Sequence, residues 1–171
     1  MRRFLAAVFA LAATAAHAEV TDVQPSGFQV RHVATVRASP DKAYIAITRV
    51  GEWWSSDHSW SGDAANLSLE ARAGGCWCEA LPGGGSVQHM RVIFAQPGKA
   101  LRLTGALGPL AMTGAGGNMS FTLTPRGEMT EIVWTYDVGG YSKDGFANWS
   151  KAVDGVLGAQ MARLTALAEK P

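Results

Sequence analysis

The closing stretch FANWSKAVDGVLGAQMARLTALAE, Phe146 to Glu169, dictates how the rest of the chain must be arranged. Apolar side chains fall at Phe146, Trp149, Val153, Val156, Leu157, Met161, Leu164 and Leu167, mostly in steps of three and four. Lys151, Asp154, Arg163 and Glu169 sit largely between them. This is one face of a 3.6-residue period, and no proline interrupts it. Asp144 stands ahead of it as a cap and Pro171 behind it as a stop. At 1.5 Å per residue the helix is about 36 Å long. Nothing else in the chain offers a long amphipathic segment. So broad an apolar stripe needs a partner surface, and a curved sheet built from the preceding short strands is the candidate.

Those strands are legible as alternation punctuated by turns. Residues 27–38 place Phe28, Val30, Ala34 and Val36 against Gln29, Arg31, Thr35 and Arg37, the pattern of a half-buried strand. Ser39-Pro40-Asp41 then reads as cap, rigid first position and acidic first turn of a short helix ending near Gly51. A second helical turn is expected at 52–55. Strands follow at 67–71, 76–81, 87–95, 100–104, 119–124 and 131–138, with Gly/Pro turns at hairpin spacing. Residues 105–117, GALGPLAMTGAGG, have no period and read as a mobile apolar loop. A run of strands with segregated helices is an α+β domain. A seven-stranded antiparallel sheet of such short strands has to curl.

The amino terminus has a different composition. Arg2 and Arg3 precede an almost wholly apolar run from Phe4 to Ala16, and Ala16-His17-Ala18 precedes Glu19. This is the pattern of a secretory signal cleaved after Ala18, and the run is shorter than the ~20 residues a spanning helix needs. The expected division is signal peptide 1–18, a disordered lead-in 19–26, and one domain over 27–171. The mature protein is then periplasmic or secreted, with no stable membrane insertion. It carries 13 Lys+Arg against 14 Asp+Glu, with no basic block or basic helix face. That argues against nucleic acid as a partner. Oligomeric state is not legible. Cys76 and Cys78 are the only cysteines. Two residues apart on a strand, they lie near the upper limit for a bridge, so two packed thiols are expected, with a redox-active disulfide as the alternative.

Several stretches in this order resemble one superfamily: Ser39-Pro40-Asp41-Lys42-Ala43-Tyr44, Gly51-Glu52-Trp53-Trp54, Arg72-Ala73-Gly74-Gly75, the segment from Phe94 to Leu101, and WSKAVDGVLGAQMARL from Trp149 to Leu164. Their sequence and spacing resemble the SRPBCC superfamily, also called START-like, Bet v 1-like or helix-grip, and within it the polyketide-cyclase and Aha1-type branch. The resemblance implies a curved sheet wrapped around the long C-terminal helix, two short helices after the first strand, and a cavity between sheet and helix for a small hydrophobic ligand. It implies no reaction, because a superfold hosts many activities. An Aha1-type role toward a cytosolic chaperone does not suit an exported chain.

Candidate residues follow from where they fall in such a fold. Trp53, Trp54 and Trp60 stand where the short helices meet one end of the sheet, and read either as a cavity wall or as lid packing. Trp134 and Tyr136 share an inward strand face, as do Met119, Phe121 and Leu123, and the Tyr136 hydroxyl needs a partner. Trp149 and Val153 lie on the helix stripe. His89 and Arg91 are two apart on one strand, so alternation sends both inward, where they could fix a carboxylate or carbonyl, or both outward. Asp57-His58 is read as a solvated loop pair. His32, His58 and His89 stand on separate elements without metal-ligand spacing, and no G-x-S-x-G occurs. No metal, cofactor or catalytic residue is therefore assigned. The expected function is binding of a hydrophobic or amphipathic molecule without turnover. The alternatives are a cyclase- or hydrolase-like enzyme using polar groups of that cavity, and an interaction module docking through 105–117.

Overall fold

A computed structural model describes residues 17–171. The chain runs β1 (His17–Gln24), β2 (Gly27–Val36), α1 (Pro40–Thr48), α2 (Val50–Trp53), β3 (Leu67–Leu69), β4 (Cys76–Ala80), β5 (Ser86–Gln96), β6 (Ala100–Gly105), β7 (Gly114–Arg126), β8 (Met129–Tyr141) and α3 (Ala147–Ala168). The strands form one antiparallel sheet in the order β1-β2-β8-β7-β6-β5-β4-β3, with α3 packed across β2 and β1 and against α1 and α2. This is the expected α+β arrangement of a sheet around a long closing helix. Its strands number eight rather than seven. The additional one is β1, which replaces the disordered lead-in expected over 19–26. Its sequence shows little apolar alternation, but its backbone pairs along the edge of β2 from Glu19↔Arg31 to Gln24↔Gly27. The expected signal peptide lies outside the described residues except for His17 and Ala18.

Local chemistry explains most element boundaries. The Ser39 side chain accepts from the Lys42 backbone N–H, and Pro40 opens α1 as anticipated. No side chain caps α3. Phe146 holds the cap position, so Asp144 does not perform the role its position implied. Residues 105–117 are not a loop throughout. A tight 3₁₀ turn spans Gly108–Met112 with Leu110 buried, and 114–117 belong to β7.

One long helix is divided between two environments. Leu157, Met161, Leu164 and Leu167 are buried against the sheet, whereas Trp149, Val153 and Val156 are only partly covered. Polar side chains fasten the buried half. Arg163 Nε donates to the Trp53 carbonyl at 2.7 Å, the Gln160 side-chain oxygen accepts from Ser55 N–H at 2.9 Å, and Glu169 accepts from Arg37 N–H at 2.9 Å. Between α2 and the sheet, tryptophans cluster edge to face. Ring centroids lie 5.1 Å apart for Trp54–Trp77, 5.6 Å for Trp53–Trp54 and 5.8 Å for Trp53–Trp134.

Bulges bend the far side of the sheet. On β5, Cys78 pairs with Gln88 and Trp77 with Met90, leaving His89 as the extra residue, and a second irregularity follows between Val92 and Phe94. Gly105, opposite the first bulge, has φ +150°, and a Cβ there would lie 2.6 Å from the His89 carbonyl oxygen. Only glycine fits that close approach.

Gly155 is a different case. A close approach of sheet or ligand would account for a glycine inside a helix, yet a Cβ at 155 would meet nothing within 4 Å. Gly155→Ala should therefore stabilise the fold by about 0.5–1 kcal/mol. Thermal unfolding should show a rise of about 2–4 °C.

His32 on β2 is buried beneath α3, its Nε2 3.2 Å from Asp154 Oδ1. Burial holds its pKa below the ordinary 6.5, with Asp154 opposing in part. The unfolded chain thus takes up a proton before the folded one does, and stability falls as pH drops through about 6.5. Urea unfolding across pH should show that loss in the wild type and a shallower slope in His32→Asn.

Candidate functional site

Beyond its contacts with β2, the first half of α3 covers, opposite β3, β4 and β5, a cavity of about 380 Å³. That size lies within the usual range for small-molecule sites, ~300–1,000 Å³. The helix contributes Trp149, Ala152, Val153, Val156 and Leu157. Trp54, Asp57, His58, Ser59 and Trp60 come from the segment after α2, and Leu67 from β3. Trp77 and His89 come from β4 and β5, and Leu107, Gly108, Pro109 and Leu110 from the turn before β7. The lining is mostly apolar, and no Lys or Arg contributes to it.

Of the residues singled out by sequence, Trp54, Trp60, His89, Trp149 and Val153 come together here. Trp60 stands at the mouth, 48% exposed. The remaining four do not line this cavity. Trp53 and Trp134 are core, 1% and 0% exposed, and pack against one another. Arg91 is exposed on the other face of β5. Neither uniform orientation of His89 and Arg91 holds, because the bulge at 89 turns both His89 and Met90 inward and leaves Arg91 outside.

Tyr136 satisfies its hydroxyl on backbone. It accepts from Leu107 N–H and donates to the Gly105 carbonyl, both at 3.2 Å, which pins the base of the turn that walls the cavity. Burial pushes its pKa up to about 12 despite the Leu107 N–H bond, so it is no proton carrier near neutrality. Asp57 and His58 are solvent-exposed, as their loop position implied, but at the cavity rim. The His58 carbonyl accepts from the Trp54 indole N–H at 2.9 Å, which orients that ring.

Glu79 was missed. Trp77 and Glu79 share the inward face of β4, so a carboxylate stands in an apolar alternation with 1% exposure. That charge on a buried face was the available signal. Glu79 Oε2 lies 2.9 Å from His89 Nε2, and Oε1 accepts from Ser61 N–H at 2.5 Å. Burial raises the carboxyl pKa, but hydrogen bonds from Ser61, the Trp60 backbone and His89 outweigh that and hold it below the ordinary 4.5. An ionised carboxylate can only accept, so Nε2 carries the hydrogen of the pair, and in the neutral form of the ring Nδ1 keeps its lone pair. Nδ1 has no protein partner among the described residues, while the ring lines the cavity. Among the described residues no group of three or more His, Cys, Asp or Glu could hold a metal ion.

The cysteines lie on the opposite face of β4. Cys76 and Cys78 are joined, with Cα atoms 5.3 Å apart, so the expectation of two free thiols is corrected. That separation is within the ordinary span of a disulfide. Iodoacetamide should leave both cysteines of the denatured, unreduced protein unmodified and label both after reduction, as read by peptide mass spectrometry.

No curated protein sequence matches the chain. Its fold is shared by solved structures of low sequence identity. A conserved protein of unknown function, EF2215 from Enterococcus faecalis, aligns at 15% identity and TM-score 0.62, over 91% of this chain and 78% of its own. The Aha1 dimer from Colwellia psychrerythraea aligns at 19% and 0.57, over 82% and 96%. CalU16 from Micromonospora echinospora aligns at 14% and 0.56, over 93% and 77%. The profile of the family described as polyketide cyclase / dehydrase and lipid transport matches residues 27–169, from the start of β2 to the end of α3. The chain belongs to that family, the polyketide-cyclase branch of the SRPBCC superfamily that its sequence resembles.

Proposed function

We propose that the protein is an exported domain that holds a hydrophobic or amphipathic small molecule in the cavity under α3 without turning it over. The observation that carries this reading is the helix itself. Trp149, Val153 and Val156 are apolar, lie on its inward stripe, and face a 380 Å³ cavity instead of the sheet. Apolar surface left uncovered inside a fold gains free energy when a ligand displaces water from it, at about 25 cal/mol per Å². The family's description includes lipid transport, which supports binding and carriage. Export is supported by the signal-like amino terminus and by the Cys76–Cys78 disulfide, since disulfides persist in oxidising compartments. Cleavage after Ala18 leaves the pairing of Glu19–Gln24 with β2 intact.

A second reading, cyclase-like turnover, is favoured by one observation, the Glu79–His89 pair beside the cavity. An oriented histidine is a competent general base. Binding remains the stronger reading because the other candidate, Tyr136, is committed to backbone on both sides of its hydroxyl and does not line the cavity.

Native mass spectrometry of freshly isolated protein tests the binding reading. A copurified small molecule, or failing that a thermal shift with a lipid and aromatic panel, is expected, and absence of both refutes it. Filling the cavity with Val153→Trp, or opening its wall with Trp54→Ala, should weaken binding of the neutral fluorophore prodan by about tenfold or more, in line with one bulky contact. Circular dichroism should show the fold retained in both. Amino-terminal sequencing of the exported form should begin at Glu19.

A further inference from the structure

The cavity's polarity narrows what it can hold. Among the described residues its lining holds one buried titratable side chain, His89, 6% exposed and tethered through Nε2 to a carboxylate that is 1% exposed, beside Trp77, whose buried indole N–H has no partner. Ser61 N–H holds the second oxygen of that carboxylate, so swinging Glu79 away would strand a partly buried donor. With Nε2–H committed to Glu79, the ring offers the cavity an acceptor, Nδ1. The surroundings make that acceptor unsuited to anions. Asp57 stands at the rim, Glu79 lies behind the ring, His58 is solvent-exposed, and the one nearby arginine on the same strand, Arg91, points away. A carboxylate ligand would meet negative charge with no cation to pair with it.

We propose that the Glu79–His89 pair makes the cavity selective for neutral ligands bearing a hydrogen-bond donor on an apolar body, namely a phenol, enol or alcohol, over carboxylates and over donor-free analogues. This rests on the reading that the cavity is the ligand site, and it assigns His89 as the residue that sets specificity. A ligand hydroxyl donates to Nδ1, and the four aromatic walls, Trp54, Trp60, Trp77 and Trp149, cover the rest of the molecule. An ether of the same shape leaves Nδ1 dry and unpaired, which costs affinity without altering apolar contact.

Three probes of one shape test this on the mature protein: 1-naphthol, 1-methoxynaphthalene and 1-naphthoate, each displacing prodan at neutral pH. Prodan has no hydrogen-bond donor, so its own binding reports the cavity independently of His89. The expected result is displacement by 1-naphthol about tenfold tighter than by 1-methoxynaphthalene, consistent with one buried hydrogen bond, and 1-naphthoate weakest. His89→Phe should bring 1-naphthol and 1-methoxynaphthalene within about twofold of each other while prodan still binds, since only the hydrogen bond between them is lost. Glu79→Gln offers a readout that a structural role would not produce. Its amide would donate to Nε2, move the ring proton to Nδ1, and abolish the preference for 1-naphthol, since the oxygen of either probe can accept from Nδ1–H. Equal binding of 1-naphthol and its methyl ether by the wild type, or tightest binding of 1-naphthoate, overturns the proposal and leaves the cavity reading standing. Failure of prodan and all three probes to bind removes the cavity reading, and the proposal with it.

Discussion

The protein depends on how α3 is seated. Its second half is anchored on both sides of its apolar stripe, by Leu157, Met161, Leu164 and Leu167 against the sheet and by Gln160, Arg163 and Glu169 on backbone groups of the preceding elements. Hydrogen bonds to partly buried backbone are costly to leave unmade, so Gln160 and Arg163 fix the helix's position along the sheet, and Glu169 adds an exposed bond at its end. The first half rests on β2, where Asp154 meets His32 and Phe146 meets Phe28, while its Trp149, Val153 and Val156 face the cavity. The cavity is a consequence of where the helix is fastened.

The opposite wall is shaped by a departure from regular pairing. A sheet of uniform alternation would send His89 and Arg91 to the same side. One extra residue on β5 reverses the pattern, so that His89 and Met90 both face inward and Arg91 faces solvent. Gly105 on β6 accepts the distorted backbone, and the Tyr136 hydroxyl, bonded to Gly105 and Leu107, fixes the turn that follows. Bulge, glycine and tyrosine thus form one connected device at the rim of the cavity.

Burying a carboxylate in such a wall is affordable only where every oxygen is occupied. Glu79 has Ser61 N–H on one oxygen and His89 on the other. The result is a carboxylate held behind the imidazole, with the His89 ring lining the cavity. The tryptophan cluster behind supplies stiffness: Trp53, Trp77 and Trp134 are core side chains whose edge-to-face contacts fix the position of Trp54 at the cavity.

Period and punctuation determined a great deal. The α+β class, the closing helix, the Ser39-Pro40 helix start and the inward faces of β2, β7 and β8 are all encoded locally, because apolar spacing of two or 3.6 residues can bury one face in only one way. Family membership followed from the same segments. Trp149 and Val153 were legible as stripe residues, and Trp54 and Trp60 as aromatic residues at the helix–sheet junction. β1 was not legible, since an edge strand can be held by backbone pairing alone and needs no apolar signature. Nor could spacing separate Trp54 from Trp53, because which ring meets the cavity depends on where α2 docks under Arg163. His89 was split from Arg91, and Glu79 joined to His89, by a register shift between two strands. A register shift is a relation between segments, and no single segment contains it.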